Sequence, residues 1–574
     1  MRKVPLPNEK GRPDRLLPLL IFAISFLIYL PSLKYGFVWD DWSIVFREIK
    51  NLQGLSIYKP GSIYYRPVTT LTFLLDQMIW KTNPLGYHLT NTIVHALNSC
   101  LFFYLAKSII ETKLESRSSR SLALIPAIIF AAYPIHVESV SWVAGRTDLV
   151  VTLFVLLTFM SYHLYRLTGN TRALIPSFIF FLLSLGAKET GVIALPLILL
   201  WELLVASSLY GNRDKKAIIA TLVMGVSLVL YVISRLPGIE SYTGGIKNPS
   251  ILPLLKALGF YMRYLLLPFP ILNYIPHIPP GVFHLFLASL LILLVSMGLF
   301  LSPKAVWWFK GFELSMLLTT LAILPSLALI TLGIGATPLA LRYLYLPSVF
   351  FCLGLAFLLV SVEKYISNPQ RASIPPVVLL ILFVPINIKA QGIWKSEIIF
   401  WEKAVCLAPN NAIPHNQYGL ALASQGKIKE AQREFLKALK APDIQDYPWE
   451  KSKIYINLGR ALLQQKKYTE AMKALNTALK FDPTNKSAYC FKADVYLAAY
   501  KSKKNKNLTK KAYQCLKECI TYTSTPSRLF LAARLALFLN KKEEAQDLLK
   551  KLILQYPDSK EAQLVLQQRK STEH

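Results

Sequence analysis

The chain has 574 residues, a formal charge of +31, 53% hydrophobic residues and 17% charged residues, with a mean hydropathy of +0.39. So apolar a composition excludes an ordinary soluble multidomain protein. The basic surplus comes with no nucleic-acid-binding motif and gives no ground for a nucleic-acid partner. The six cysteines show neither metal spacing nor a disulfide framework, and Cys515 and Cys519 read as packing residues on one helix face.

The apolar residues concentrate before about residue 392, and a bilayer span needs about 20 of them. Eleven stretches qualify once short cores extend into their flanks: 16–33, 86–106, 122–133, 149–167, 174–186, 192–209, 217–234, 282–301, 314–331, 343–360 and 374–388. The first is long and lacks a small-residue cleavage site, so it reads as a span and not as a cleaved signal. Stretch 251–270 carries Lys256, Arg263 and several prolines and reads as interfacial. Lysine and arginine crowd the N-terminus and alternate loops, which marks those as cytoplasmic. The loop with Asp40 and Asp41, and everything after the last span, then lie outside: in the periplasm of a bacterium, or in the endoplasmic reticulum lumen of a eukaryote.

Just past the first span stands Trp39-Asp40-Asp41-Trp42, approached by Tyr35 and Phe37 as at a membrane–water interface. A helix cap needs one acid, so two carboxylates between indoles mark a candidate site. Segments 43–52 and 66–80 are amphipathic and should lie on the outer surface, with Asp76 on a solvated face. His95 and Asn98 fall inside the second span and read as hydrogen-bonding glue between helices. The next outer loop gathers His136, Glu138, Trp142, Arg146 and Asp148. Glu138, with His136 nearby, suits orienting an acceptor or, with Asp41, sharing a divalent metal; Arg146 has the planar fork of donors that holds a phosphate. Lys188-Glu189 and Arg342 stand at two further outer edges, where cations meet anionic headgroups.

After residue 392 small and large apolar residues recur in register: Gly419, Ala431, Phe435 and Ala438, then Gly459, Ala471, Leu475, Ala478 and Pro483. The series continues through Ala493, Ala512 after a lysine-rich insertion at 501–511, Ala533 and Ala545. Small residues at helix crossings and a closing proline are the tetratricopeptide pattern. The expected fold is all-α: a polytopic membrane helix bundle over 1–392 and a tetratricopeptide-repeat solenoid over 393–574.

Together these features resemble the transmembrane-and-tetratricopeptide-repeat O-mannosyltransferases and their bacterial relatives. The resemblance rests on Tyr35-Gly-Phe-Val-Trp-Asp-Asp41, Tyr65-Arg-Pro67, Asn83 to His88, His136 to Glu138, Gly145-Arg146, Lys188-Glu189-Thr190 and Arg342 to Pro347. It implies a GT-C glycosyltransferase using a polyprenyl-phosphate sugar, with mannose or another hexose inverted onto a hydroxyl of a protein or glycan acceptor. A first-loop aspartate would be the base, leaving Asp40 and Asp41 both open. Arg146, Lys188 and Arg342 would hold the departing phosphate, and the repeats could bind a protein partner. Two other classes fit the architecture: a non-catalytic membrane-anchored scaffold, and a transporter or polymerase of lipid-linked glycans. Neither calls for acids and bases gathered across separate outer loops at the span edges.

Overall fold

The computed structural model describes residues 16–47, 66–114, 116–211, 214–243, 250–278, 281–301, 307–332, 337–362, 374–503 and 505–572. Tyr65, the later part of segment 43–52 and part of the basic loops lie outside the described residues. The chain forms two compact units, residues 1–400 and 401–574.

The first unit is a bundle of apolar helices. Among the described residues seven are long and apolar enough to cross a membrane, or eight if Leu122–Ala132 and Pro134–Ser141, bent by 43°, make one span. The eleven stretches of the sequence also include Thr171–Ala187 and Val282–Leu293, which are shorter apolar helices, and the region of Ala194–Leu204. Helix Pro84–Glu111 packs between Leu16–Tyr29, Ser116–Ala132 and Arg146–Thr168, while Trp307–Leu332 pairs with Tyr345–Val362. Polar groups at depth are satisfied across helices, as bilayer burial demands. His95 Nδ1 meets Tyr345 Oη at 2.8 Å and Nε2 meets the Ala131 carbonyl at 3.1 Å; Asn98 donates to the Leu149 carbonyl at 3.0 Å. Stretch 251–270 forms helix Ile251–Leu266, which buries Phe260, Tyr261 and Tyr264 while Ile251 and Leu266 stay exposed.

Helix Pro67–Trp80 shows why one expectation fails. Its exposed face is Leu71, Leu75, Met78 and Ile79, an apolar stripe at helical spacing, and its inward face is Thr69, Thr70, Phe73 and Asp76. A helix lying on lipid turns its apolar side out and its polar side toward protein. Asp76 is therefore buried, not solvated, and pairs with Arg146 at 2.5 Å.

The second unit stacks helix pairs: Ala412–Ser424 with Ile428–Lys440, Pro448–Gln464 with Tyr468–Phe481, Ser487–Lys503 with Lys506–Ile520, and Pro526–Phe538 with Lys542–Gln555, followed by Lys560–Thr572. The small residues sit at the crossings: a Cβ on Gly459 would come within 2.8 Å of Leu475. The lysine-rich stretch is no loop insertion; it lengthens the two helices of the third pair. Cys519 is not a packing thiol either, since it forms a disulfide with Cys490 on the facing helix, 29 residues away. Sequence spacing does not disclose this, because helix pairing brings their Cα atoms to 4.9 Å. Cys515 remains a buried thiol.

Candidate functional site

Trp39 holds a backbone φ of +60°, a conformation that side chains other than glycine adopt only when their surroundings fix it. Those surroundings are explicit. Its N–H donates to Glu397 at 2.7 Å, and its ring stacks on Trp142 with centroids 5.2 Å apart. Trp142 stacks in turn on Trp394 at 5.6 Å, and its indole N–H donates to the Val38 carbonyl at 3.2 Å.

The two aspartates then separate. Asp41 is buried and accepts the Val38 N–H on one carboxylate oxygen and the Ala144 N–H on the other, each at 2.8 Å. It fastens the first outer loop to the second. Burial pushes its carboxyl up to about 8; the two N–H donors pull the other way, and the Glu397 and Asp40 carboxylates add to the rise. Asp40 is half-buried, and its carbonyl caps the following turn by accepting from Ser43 and from Ile44 N–H at 2.9 and 2.8 Å.

A charged cluster lies beside this corner. Arg342 donates to Glu138 from its guanidinium and, at 3.1 Å, from its backbone N–H. Its guanidinium lies 5.2 Å from the Trp142 ring centroid and 6.0 Å from that of Trp39, so it covers the indole pair. Lys188 pairs with Asp148, which opens helix Arg146–Thr168 where a carboxylate also meets the positive end of the helix dipole. The same ammonium stands 5.2 Å from the Tyr343 ring, on which Arg342 also stacks at 4.7 Å. Burial holds Lys188 below the usual lysine range; Asp148 counters this, and the positive charges of Arg66 and Arg342 depress it further. Arg66 itself grips Glu189 through two nitrogens, at 2.8 and 3.3 Å. Three cations thus share one region, each held by its own carboxylate. Arg66, Asp148 and Glu189 were visible in the sequence, but each resembles an ordinary cap or solvated charge until the loops converge.

Two expected site residues are used otherwise. Arg146 is fully buried: Nε donates to Asn91 at 2.7 Å, Nη2 to the Tyr87 carbonyl at 2.8 Å, and the guanidinium covers Phe73 at 4.4 Å. With Asp76 it locks the surface helix to the bundle, and no donor points to the cluster as a phosphate ligand would need. His136 contacts Ser348 Oγ at 2.8 Å and packs on Tyr345 and Phe130, within the bundle core rather than beside Glu138. Among the described residues no group of three or more His, Cys, Asp or Glu side chains gathers as metal donors. With Asp41 held by backbone N–H groups and Glu138 by Arg342, these residues do not fit a divalent metal, and no step is drawn through one.

Comparison with known proteins follows the same division. Residues 452–485 match the tetratricopeptide repeat family. Protein O-mannosyl-transferase F38B6.6 of Caenorhabditis elegans is 27% identical over 458 residues, 76% of this chain and 64% of that protein. Protein O-mannosyl-transferase TMTC3 of Mus musculus is 25% identical over 77% of this chain and 53% of its own length. TMTC1 of Homo sapiens is 26% identical over 73% and 54%. The chain is TMTC-like. It spans about half to under two thirds of the length of these relatives. Among solved structures, Pseudomonas aeruginosa pilF is 22% identical over 45% of this chain and 99% of that chain, with a TM-score of 0.27, too low to carry an argument.

Proposed function

We propose that the chain is a membrane glycosyltransferase that moves mannose or another hexose from a polyprenyl-phosphate donor to a hydroxyl of a protein or glycan acceptor, outside the cytoplasm. The observation that carries this reading is the convergence of Asp40 with Arg342 and Lys188 at the indole pair. Asp40 acts as the base, because Asp41 has both oxygens engaged by backbone donors while Asp40 is partly open. As the acceptor oxygen forms its bond to the anomeric carbon, Asp40 takes the hydroxyl proton and the sugar–phosphate bond breaks with inversion. Arg342 and Lys188 face the charge that grows on the departing phosphate; Glu138 and Asp148 hold them in place beforehand, so little reorganisation is needed. The first 392 residues form the catalytic module, embedded among membrane lipids, and 393–574 the repeat module.

The extracytoplasmic placement is supported by the basic-loop alternation and by the Cys490–Cys519 disulfide, since such bonds persist in oxidising compartments. The test is transfer of radiolabelled sugar from synthetic polyprenyl-phosphate donors to peptide or glycan acceptors by purified protein. Asp40→Asn should abolish transfer while donor binding persists. Transfer by that variant at the wild-type rate overturns the assignment.

A further inference from the structure

The repeat register puts one more set of residues in line. Gly459, Ala493 and Ala533 are the small crossing residues of three successive first helices, and the residues that follow them are Arg460, Asp494 and Arg534. Equivalent positions in stacked repeats lie along one face of the stack. Arg460 and Arg534 are both exposed. Each lies on an aromatic ring of the same surface, Arg460 at 4.9 Å from the Phe491 centroid and Arg534 at 5.9 Å from that of Phe530. A guanidinium resting on a ring is pre-oriented, and its in-plane N–H groups stay available to a carboxylate. Asp494 between them is already matched by a two-pronged contact with Arg528, at 2.6 and 2.7 Å. The acid on this line is therefore neutralised, and the two arginines set the sign. Leu537 and Phe538, about half exposed, extend the same helix with an apolar surface. The unit as a whole is basic: residues 401–574 hold 31 Lys and Arg against 16 Asp and Glu.

We propose that this first-helix face captures an extended acidic polypeptide, with Arg460 and Arg534 pairing its carboxylates and Phe491, Phe530 and Phe538 taking its apolar side chains. The proposal concerns capture of a chain and stands apart from the sugar chemistry. Capture is read by binding alone, so its failure is distinct from a failure of glycosyl transfer. Full-length protein in zwitterionic nanodiscs would be titrated into a fluorescent glutamate-rich peptide carrying one phenylalanine, and into its lysine-rich counterpart. The glutamate peptide should bind and weaken with added salt, and the lysine peptide should not bind. Arg460→Glu with Arg534→Glu should weaken binding by about tenfold or more. Arg460→Gln with Arg534→Gln, which introduces no repulsion and spares folding, should give an intermediate loss. Lys473→Glu, on a second helix, changes charge elsewhere and should have little effect. Absence of binding to the glutamate peptide, or an equal loss from Lys473→Glu, overturns the proposal. So does loss of binding to phosphatidylserine vesicles in the arginine variants with peptide binding intact, since the face would then serve a lipid surface.

Discussion

Two neighbouring aspartates with the same chemistry meet different fates because one lies where two backbone N–H groups converge. Asp41→Asn keeps the size but replaces one acceptor oxygen by a donor that faces an N–H. Leaving a buried group unsatisfied costs about 1–3 kcal/mol, so this variant should lose thermal stability. The pH dependence carries a sign. The folded-state carboxyl titrates near 8, above its ordinary 3.8, so across that window the folded protein holds a proton the unfolded chain has released. Its contribution to stability is present below the window and is lost as pH rises through it. Melting curves should therefore show the wild type's advantage over Asp41→Asn shrinking between pH 4 and 8; a gap constant with pH would remove this account. Asp40→Asn should melt near wild type but lose about 10²–10⁴-fold in turnover, the contribution of a positioned base. Arg342→Ala should instead weaken donor binding, measurable by titration with a non-transferable polyprenyl phosphate.

At the scale of elements, what holds the site is the way short loops are pinned to long helices. Gly145 is one such pin: a Cβ there would stand 2.7 Å from the backbone oxygens of Glu138 and Ser139. Backbone cannot swing aside as a side-chain tip can, so Gly145→Ala should displace the turn that carries Glu138. The expected outcome is a rise in KM for donor as Arg342 loses its fixed partner, and an unchanged KM would show that the turn yields harmlessly. The surface helix is held by Asp76 and Arg146 in the same manner. Removing one member of a buried pair strands the other and costs about 3–5 kcal/mol, more than replacing both with apolar groups. Asp76→Ala should therefore destabilise the protein more than a paired Asp76→Leu, Arg146→Met change, as read by thermal denaturation in detergent.

For the molecule as a whole, the expectation is a repeat unit outside the cytoplasm. A reporter fused after Lys440 that is active only in the cytoplasm would reverse the topology. Protein isolated without reductant should resist alkylation at Cys490 and Cys519 until reduced, and mass spectrometry of the linked peptides checks this. Deleting 411–574 should leave donor binding largely intact while transfer to a protein acceptor falls. Loss of donor binding by a correctly inserted truncation would contradict that division of labour.

The sequence by itself determined the helical class, the change of composition near residue 392, the repeat register and the outer loops that carry charge. Each of these is a local or periodic property: apolar run length follows from bilayer thickness, and Gly419 and Gly459 recur because helices cross closely there. Tertiary structure alone decided which charges meet. Arg146 and Arg342 look alike as loop arginines, yet one is consumed by Asn91, Tyr87 and Asp76 while the other covers the Trp39–Trp142 pair. Asp76 and Asp148 changed from solvated charge and cap to buried partners of cations, and Cys519 from packing thiol to disulfide. The physical reason is common to all of them. Ion pairs, ring stacks and disulfides join residues from 29 positions apart to more than two hundred, and composition and spacing carry no record of such contacts.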